Sequence, residues 1–263
     1  MAPKLLLVGG GKMGSALLSG LVAAGWAPIG DLAVSETDPA QRARLEATHP
    51  GLTVVGGPVE ADDVLLAVKP DVAEAALRAL GASGPRRVLS IVAGISSDRL
   101  EASLPAGSVV VRAMPNTPSL IGAGVAGLSG GVAAASDDLD WAEGILSAVG
   151  TVVRLPERHL DAVTGISGSG PAYVFLVAEA LIEAGVTAGL PRDVSKQLVV
   201  GTLLGASKML DETGQEPADL RAAVTSPGGT TAAAVRTLEF KAVRSAFIEA
   251  VAAATERSRQ LGR

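Results

Sequence analysis

An apolar run, Leu5-Leu6-Leu7-Val8, passes directly into Gly9-Gly10-Gly11-Lys12-Met13-Gly14 and then into a stretch rich in Ala and Leu. A strand, a G-x-G-x-x-G turn and a helix in that order form the opening step of a dinucleotide-binding βαβ unit, and each glycine has a physical task. Gly9 permits the tight turn, Gly11 lets the main chain approach a pyrophosphate, and Gly14 lets the helix pack on the strand. The helix start, at Lys12 and Met13, supplies unpaired N–H groups to the phosphate. A Gly-rich turn without a ligand shares the glycines, so the context has to decide.

That context is strand–helix alternation. Candidate strands recur at Lys4–Val8, Leu32–Ser35, Leu52–Val55, Asp63–Val68, Arg87–Val92, Ser108–Arg112, Val125–Leu128 and Thr151–Leu155. Several are continuous apolar runs, such as Val64-Leu65-Leu66-Ala67-Val68, as expected of strands covered on both faces. Helical segments lie between them at Met13–Ala24, Pro39–Ala47, Val72–Leu80, Asp98–Ser103 and Asp137–Val149. The pattern predicts an α/β fold, a Rossmann-type doubly wound sheet, over residues 1–157. Strands then stop, and residues 158–263 read as all-helical, with segments at Pro171–Ala184, Pro191–Asp211, Pro217–Thr225 and Thr231–Arg259. This half is apolar on more than one helix face, and Gly201 and Gly205 would allow close helix approach. Its excess of apolar surface predicts an obligate homo-oligomer.

Composition narrows the function classes. Apolar residues make up 48 % of the 263, with only six aromatics among them, so the core is aliphatic. There is no Cys, which removes disulfides, thiolate catalysis and Cys-ligated metal centres. The two histidines, His49 and His159, are isolated, so no His-rich metal site is expected. A net charge of −5 gives no footprint for nucleic acid or an anionic membrane. The start of the chain superficially resembles a signal peptide, but its apolar run ends at once in three glycines and Lys12. Pro171–Leu190 is apolar but carries Glu179 and Glu183, which would be costly in lipid. Both read as parts of a soluble, cytoplasmic protein.

Further candidate ligand-binding residues sit where strands end. Glu36 follows the second strand, where a carboxylate can accept hydrogen bonds from an adenosine ribose; this favours NADH, since a 2′-phosphate would meet a negative charge. Ser35, Thr37, Arg42 and Arg44 beside it keep NADPH open. Ala67-Val68-Lys69-Pro70 closes the Asp63–Val68 strand and puts Lys69 at the carboxyl edge of the sheet. Ala93 and Gly94 follow the next strand, and Asn116 lies in Met114-Pro115-Asn116-Thr117-Pro118 after the one beyond. Singly each is an ordinary loop; together they outline a cofactor cleft.

Near the other end stands Thr225-Ser226-Pro227-Gly228-Gly229-Thr230-Thr231, leading into an Ala-rich helix. Its glycines, hydroxyls and helix-start amides suit a carboxylate or phosphate, while an inter-helix turn capped by Thr230 or Thr231 would use the same residues. Ser167-Gly168-Ser169-Gly170-Pro171 could pass for another phosphate loop but reads as a flexible joint and helix start feeding a long helix. Glu179 and Glu183 lack a Glu-x-x-His partner and read as a solvated or helix-pairing face.

Taken in order, Gly9–Gly14, Ala67–Pro70, Ala113–Pro118, Ser167–Tyr173 and Thr225–Thr231 resemble the motifs of pyrroline-5-carboxylate reductases over nearly the whole chain. The resemblance implies a Rossmann domain, a helical dimerisation domain, interleaved dimers often assembled into rings, and reduction of (S)-1-pyrroline-5-carboxylate to L-proline by NADPH or NADH. It also implies that the Gly229, Thr230 and Thr231 main chain holds the substrate carboxylate, with Ser226 nearby. Thr231 would be the catalytic residue, its hydroxyl orienting the ring nitrogen and relaying a proton, and Lys69 and Asn116 would shape the nicotinamide and substrate pocket. Family members that prefer NADPH often carry Asn-Arg where this chain has Glu36-Thr37, which leaves the cofactor preference open. Two other readings stand beside this one. A β-hydroxyacid dehydrogenase would need a catalytic Lys on the first long helix of the helical half, where only Lys196, beyond Pro191, is present. A non-catalytic dinucleotide sensor would use the helices to bind partners.

Overall fold

The computed structural model describes residues 3–57, 59–80 and 84–262. Two compact units divide it: Met1–Ser169 together with Ala252–Arg263, and Gly170–Val251.

The first unit is built on an eight-stranded sheet of β1 (Leu5–Val8), β2 (Leu32–Ser35), β3 (Thr53–Val55), β4 (Asp63–Leu66), β5 (Arg87–Ser90), β6 (Val109–Met114), β7 (Gly124–Gly130) and β8 (Gly150–Arg154). The order is β3-β2-β1-β4-β5-β6-β7-β8, and only the β6–β7 pair is antiparallel. The doubly wound sheet expected from the alternation is present. β1 is buried throughout because it has a core on each face. Leu5 and Leu7 join one cluster with α1 (Lys12–Ala23), α2 (Pro39–Thr48) and α5 (Ser136–Leu146). Leu6 and Val8 join the other, with α3 (Pro70–Arg78) and α4 (Ser97–Glu101). After β3 the chain crosses to the far side of β1, so β2 and β4 flank β1 and the helices diverge there. That is the switch point at which open α/β sheets bind ligands. β7 turns antiparallel because only a short connection, with a 3₁₀ turn at Thr117–Ile121 closed by left-handed Gly122 (φ 73°), separates it from β6.

Two helical expectations need correction. The joint over Ser167–Pro171 is helical: α6 (Leu160–Val163) runs through a π turn at Thr164–Gly168 into α7 (Gly170–Thr187). The Ser169 N–H reaches back to the Thr164 carbonyl (2.9 Å), the i→i+5 bond that absorbs the extra residue. The final helix, expected from Thr231 to Arg259, is two: α10 (Thr230–Phe240) and α11 (Val243–Leu261). Ala242 breaks it at φ 55°, the single non-glycine residue with positive φ among the described residues. No Gly or Pro announces that break; an Arg244–Glu239 ion pair (2.7 Å) spans it.

In the second unit, α8 (Arg192–Thr213) and α9 (Pro217–Ala223) follow α7. Small residues set the α7–α8 contact: the Ser195 hydroxyl donates to the Ile182 carbonyl (2.9 Å), and a Cβ on Gly185 would lie 2.1 Å from that hydroxyl oxygen. Glu183 pairs with Arg192 at the start of α8 (2.5 Å), and both side chains remain largely exposed. Gly201 and Gly205 have no protein atom within 4 Å of a would-be Cβ. Ser195 is the one buried residue in this unit, while Phe175, Leu204 and Ile248 are more than 60 % exposed.

Candidate active site

The glycine turn closes under tight steric rules. Gly9 has φ +102°, and a Cβ there would lie 2.6 Å from the Ala67 carbonyl at the end of β4. A Cβ on Gly14 would lie 2.1 Å from the Gly9 carbonyl. Both positions therefore exclude any side chain, and β1, α1 and β4 meet there. Gly11 is the opposite case, with nothing within 4 Å of a Cβ, and it caps α1 without any side-chain hydrogen bond. The start of α1 is thus left without a side-chain cap, and its exposed Gly11 leaves room for an anionic ligand to approach the opening amides. Lys12 lies on the rim, and Met13 packs against the aliphatic core beneath.

Glu36 stands beside this turn. Its carboxylate accepts hydrogen bonds from the Gly10 N–H (2.8 Å) and the Asp38 N–H (2.9 Å), which fix it between the turn and the start of α2. Ser35 is buried and its carbonyl accepts from the Gly9 N–H (2.9 Å). Arg42 donates to the Glu36 and Thr37 carbonyls (2.9 and 2.8 Å), so its guanidinium holds the loop. Arg44 lines the adjoining cleft of about 560 Å³, together with Gly11, Lys12, Ser15, Glu36 and Gln41. Gln41 escaped the sequence reading; it lies outside every motif.

Farther along the carboxyl edge, Ala67 bonds to the Val8 carbonyl (2.8 Å) and Val68 flanks Gly9. Lys69 is exposed as the N-cap of α3, which opens with Pro70 at its first position. The loop holding Ala93 and Gly94 is braced from outside. Gly94 has φ +80°, and the end of the chain packs on it, with Gly262 3.1 Å from a would-be Cβ. The start of α4 is capped by Glu157, which accepts from the Ser97 N–H (2.7 Å), the Ser97 hydroxyl (2.5 Å) and Arg112 (2.6 Å). Burial pushes Glu157 up, but the bonds from Ser97 and Arg112 outweigh it and hold its pKa below the usual carboxylate range. Sequence reasoning missed this cluster, although Arg112 inside an apolar strand was a signal that a buried partner must exist. Asn116, 8 % exposed, uses both ends of its carboxamide: Nδ2 donates to the Ser167 carbonyl (3.1 Å) and Oδ1 accepts from the Val125 N–H (3.0 Å). It braces the strand end to β7 and the π turn.

Within the second unit, Ser226–Thr231 forms the turn between α9 and α10. Gly228 is left-handed (φ 71°), the Gly229 N–H bonds to the Ser226 carbonyl (3.0 Å), and Gly229 caps α10 with no side-chain hydrogen bond. The Thr hydroxyls do not cap this helix, so its opening amides stay available. A Cβ on Gly229 would lie 2.4 Å from the Ser226 hydroxyl oxygen.

Similarity to known proteins follows the same two segments. Residues 4–94 match the family model described as NADP oxidoreductase, coenzyme F420-dependent, and residues 157–261 match that for pyrroline-5-carboxylate reductase dimerisation. A pyrroline-5-carboxylate reductase of Synechocystis is 44 % identical and aligned over 100 % of both chains. The chain belongs to the pyrroline-5-carboxylate reductase family. Among solved structures, the reductase of Coxiella burnetii is 35 % identical, with a TM-score of 0.91 and 100 % of each chain covered. That of Plasmodium falciparum, with NADP bound, is 32 % identical, with a TM-score of 0.87 and 99 % and 98 % covered. The helical part of this family member therefore carries the reductase dimerisation domain. Glu157–Thr187 is long and apolar enough to cross a membrane by length and composition, and lies inside that matched segment.

Proposed function

We propose that this chain reduces (S)-1-pyrroline-5-carboxylate to L-proline with NAD(P)H, the last step of proline biosynthesis. One observation carries the reading: the 44 % identity to a pyrroline-5-carboxylate reductase runs over the full length of both chains, and so spans both the segment of the glycine turn and that of the Ser226–Thr231 turn. When bound, the reduced nicotinamide supplies a hydride to the imine carbon. Gly9, Gly11 and Gly14 shape the turn that receives the pyrophosphate, with Lys12 at its rim and Met13 anchoring the helix. Ser35 and Glu36 serve the adenosine ribose. Ala67, Val68, Lys69, Pro70, Ala93 and Gly94 line the strand ends toward the nicotinamide, and Asn116 keeps that edge in shape. The amides of Gly229, Thr230 and Thr231, with the Ser226 hydroxyl, hold the imine carboxylate. The Thr231 hydroxyl orients the ring nitrogen; too weak an acid to act alone, it relays a proton only second. Positioning dominates the rate, because no covalent intermediate with the protein is needed.

NADH is the preferred cofactor in this reading. The Glu36 carboxylate is held in place, and Arg42, which could offset its charge toward a 2′-phosphate, is engaged by loop carbonyls. Residues 1–157 serve the nucleotide and 158–263 serve dimerisation and substrate. The protein works in the cytoplasm as a dimer or a larger ring, without nucleic acid or membrane partners, consistent with its net charge of −5. Imine-dependent oxidation of NADH and NADPH tests the assignment. Turnover with both is expected, with kcat/KM about tenfold or more in favour of NADH, the scale of one charge repulsion near a phosphate. A strong NADPH preference would remove the role given to Glu36, and no turnover despite tight nucleotide binding would point to a sensor.

A further inference from the structure

We propose that Gln41, together with Ser15, is a positioning residue that sets the Gly10–Gly11 peptide so that the Gly11 N–H faces the pyrophosphate of the nucleotide. The inference rests on the reading of the glycine turn as a dinucleotide site and adds a determinant that the motif does not contain. Gly10 is buried and held on both sides. Its N–H donates to Glu36 Oε2 (2.8 Å), and its carbonyl accepts from the Ser15 hydroxyl (2.8 Å) and from Gln41 Nε2 (2.5 Å). Gln41 Nε2 also lies 3.2 Å from the Ser15 hydroxyl oxygen, which closes a three-membered polar cluster.

The peptide is trans, so the Gly10 carbonyl and the Gly11 N–H point in opposite directions. Two donors that hold the carbonyl toward α1 and α2 therefore aim the Gly11 N–H away from both helices, and Gly11 itself is exposed, with room around its Cα for a ligand to approach the main chain. Both residues of this peptide are glycines, so no side chain of their own restrains its rotation. Rotated over, it would present a carbonyl oxygen to a phosphate. The start of α2 holds Gln41 in reach: Asp38 caps the helix through the Ala40 N–H (3.0 Å), and Pro39 sets its first turn.

The test compares wild type with Gln41→Leu and Ser15→Ala in NADH and ADP-ribose titrations, adenosine titrations, steady-state kinetics and thermal melting. Loss of one hydrogen bond to the main chain predicts NADH and ADP-ribose affinity falling about fivefold in Gln41→Leu. The imine KM, the thermal midpoint and the affinity for adenosine, which lacks a pyrophosphate, should stay near wild type. Unchanged NADH and ADP-ribose affinity in folded Gln41→Leu, or an equal loss for adenosine, overturns the proposal. Should Gln41→Leu fail to fold, Ser15→Ala carries the same expectation and the same two outcomes decide. Wild-type protein that binds no NADH or NADPH would instead bring down the dinucleotide reading itself.

Discussion

Single residues in this protein are constrained by what lies within an atom's width of them. Gly14 is the sharpest case, because the Gly9 carbonyl occupies the space its side chain would need. Replacing Gly14 with Ala is expected to cost about 2 kcal/mol of stability and to weaken NADH binding tenfold or more, since either α1 or the turn must move. Urea unfolding and a nucleotide titration check both numbers, and a near-wild-type variant would show that the turn has slack. Such positions are legible in sequence because a glycine at fixed spacing leaves a local mark. Gln41 and Arg42 left none. Gln41 is polar on an exposed-looking helix, and its partner Gly10 is 31 positions away. Arg42 read as a possible phosphate ligand until its bonds to the Glu36 and Thr37 carbonyls gave it another task.

At the level of elements, short pieces depend on partners brought from afar. α4 has only five residues, too few to persist alone, and its opening N–H is satisfied by Glu157, 60 positions later. Because the native pKa of Glu157 lies below its value in an unfolded chain, this contact favours the folded state at and above the ordinary carboxylate range. The gain fades as the pH falls through the lowered native value. Glu157→Gln is accordingly expected to be less stable by about 1 kcal/mol at neutral pH and flatter across the acid range, as read from thermal midpoints against pH. Parallel curves for the two proteins would contradict this. Strand positions were well marked by β-branched and apolar runs, and helix starts by Pro and acids. The break at Ala242 was not, because Ala favours a helix and only tertiary contacts can hold it at φ 55°. The π turn at Thr164–Gly168 was likewise unmarked: the Ser and Gly content of Ser167–Gly170 suggests a flexible joint, and the two segments overlap only at Ser167 and Gly168.

The whole molecule is lopsided in how it buries its apolar side chains. The sheet unit has aliphatic cores on both faces, whereas the helical unit buries Ser195 alone and leaves Phe175, Leu204, Phe240 and Ile248 largely exposed. Exposed apolar surface of that extent marks an interface, and the matched dimerisation domain is where it lies. Sedimentation at micromolar concentration is expected to find a dimer or larger assembly and no folded monomer; a stable monomer would mean that these helices rearrange to cover themselves. By itself, the sequence determined the doubly wound sheet, the glycine turn, the second glycine-threonine turn and the surplus of apolar helix, since periodicity and glycine spacing are local and report directly on backbone shape. Only the tertiary structure decided which polar groups hold that backbone in place. Glu157 on Ser97, Gln41 on Gly10 and Asn116 on Ser167 join positions distant along the chain, and a hydrogen bond formed after folding leaves no periodic trace before it.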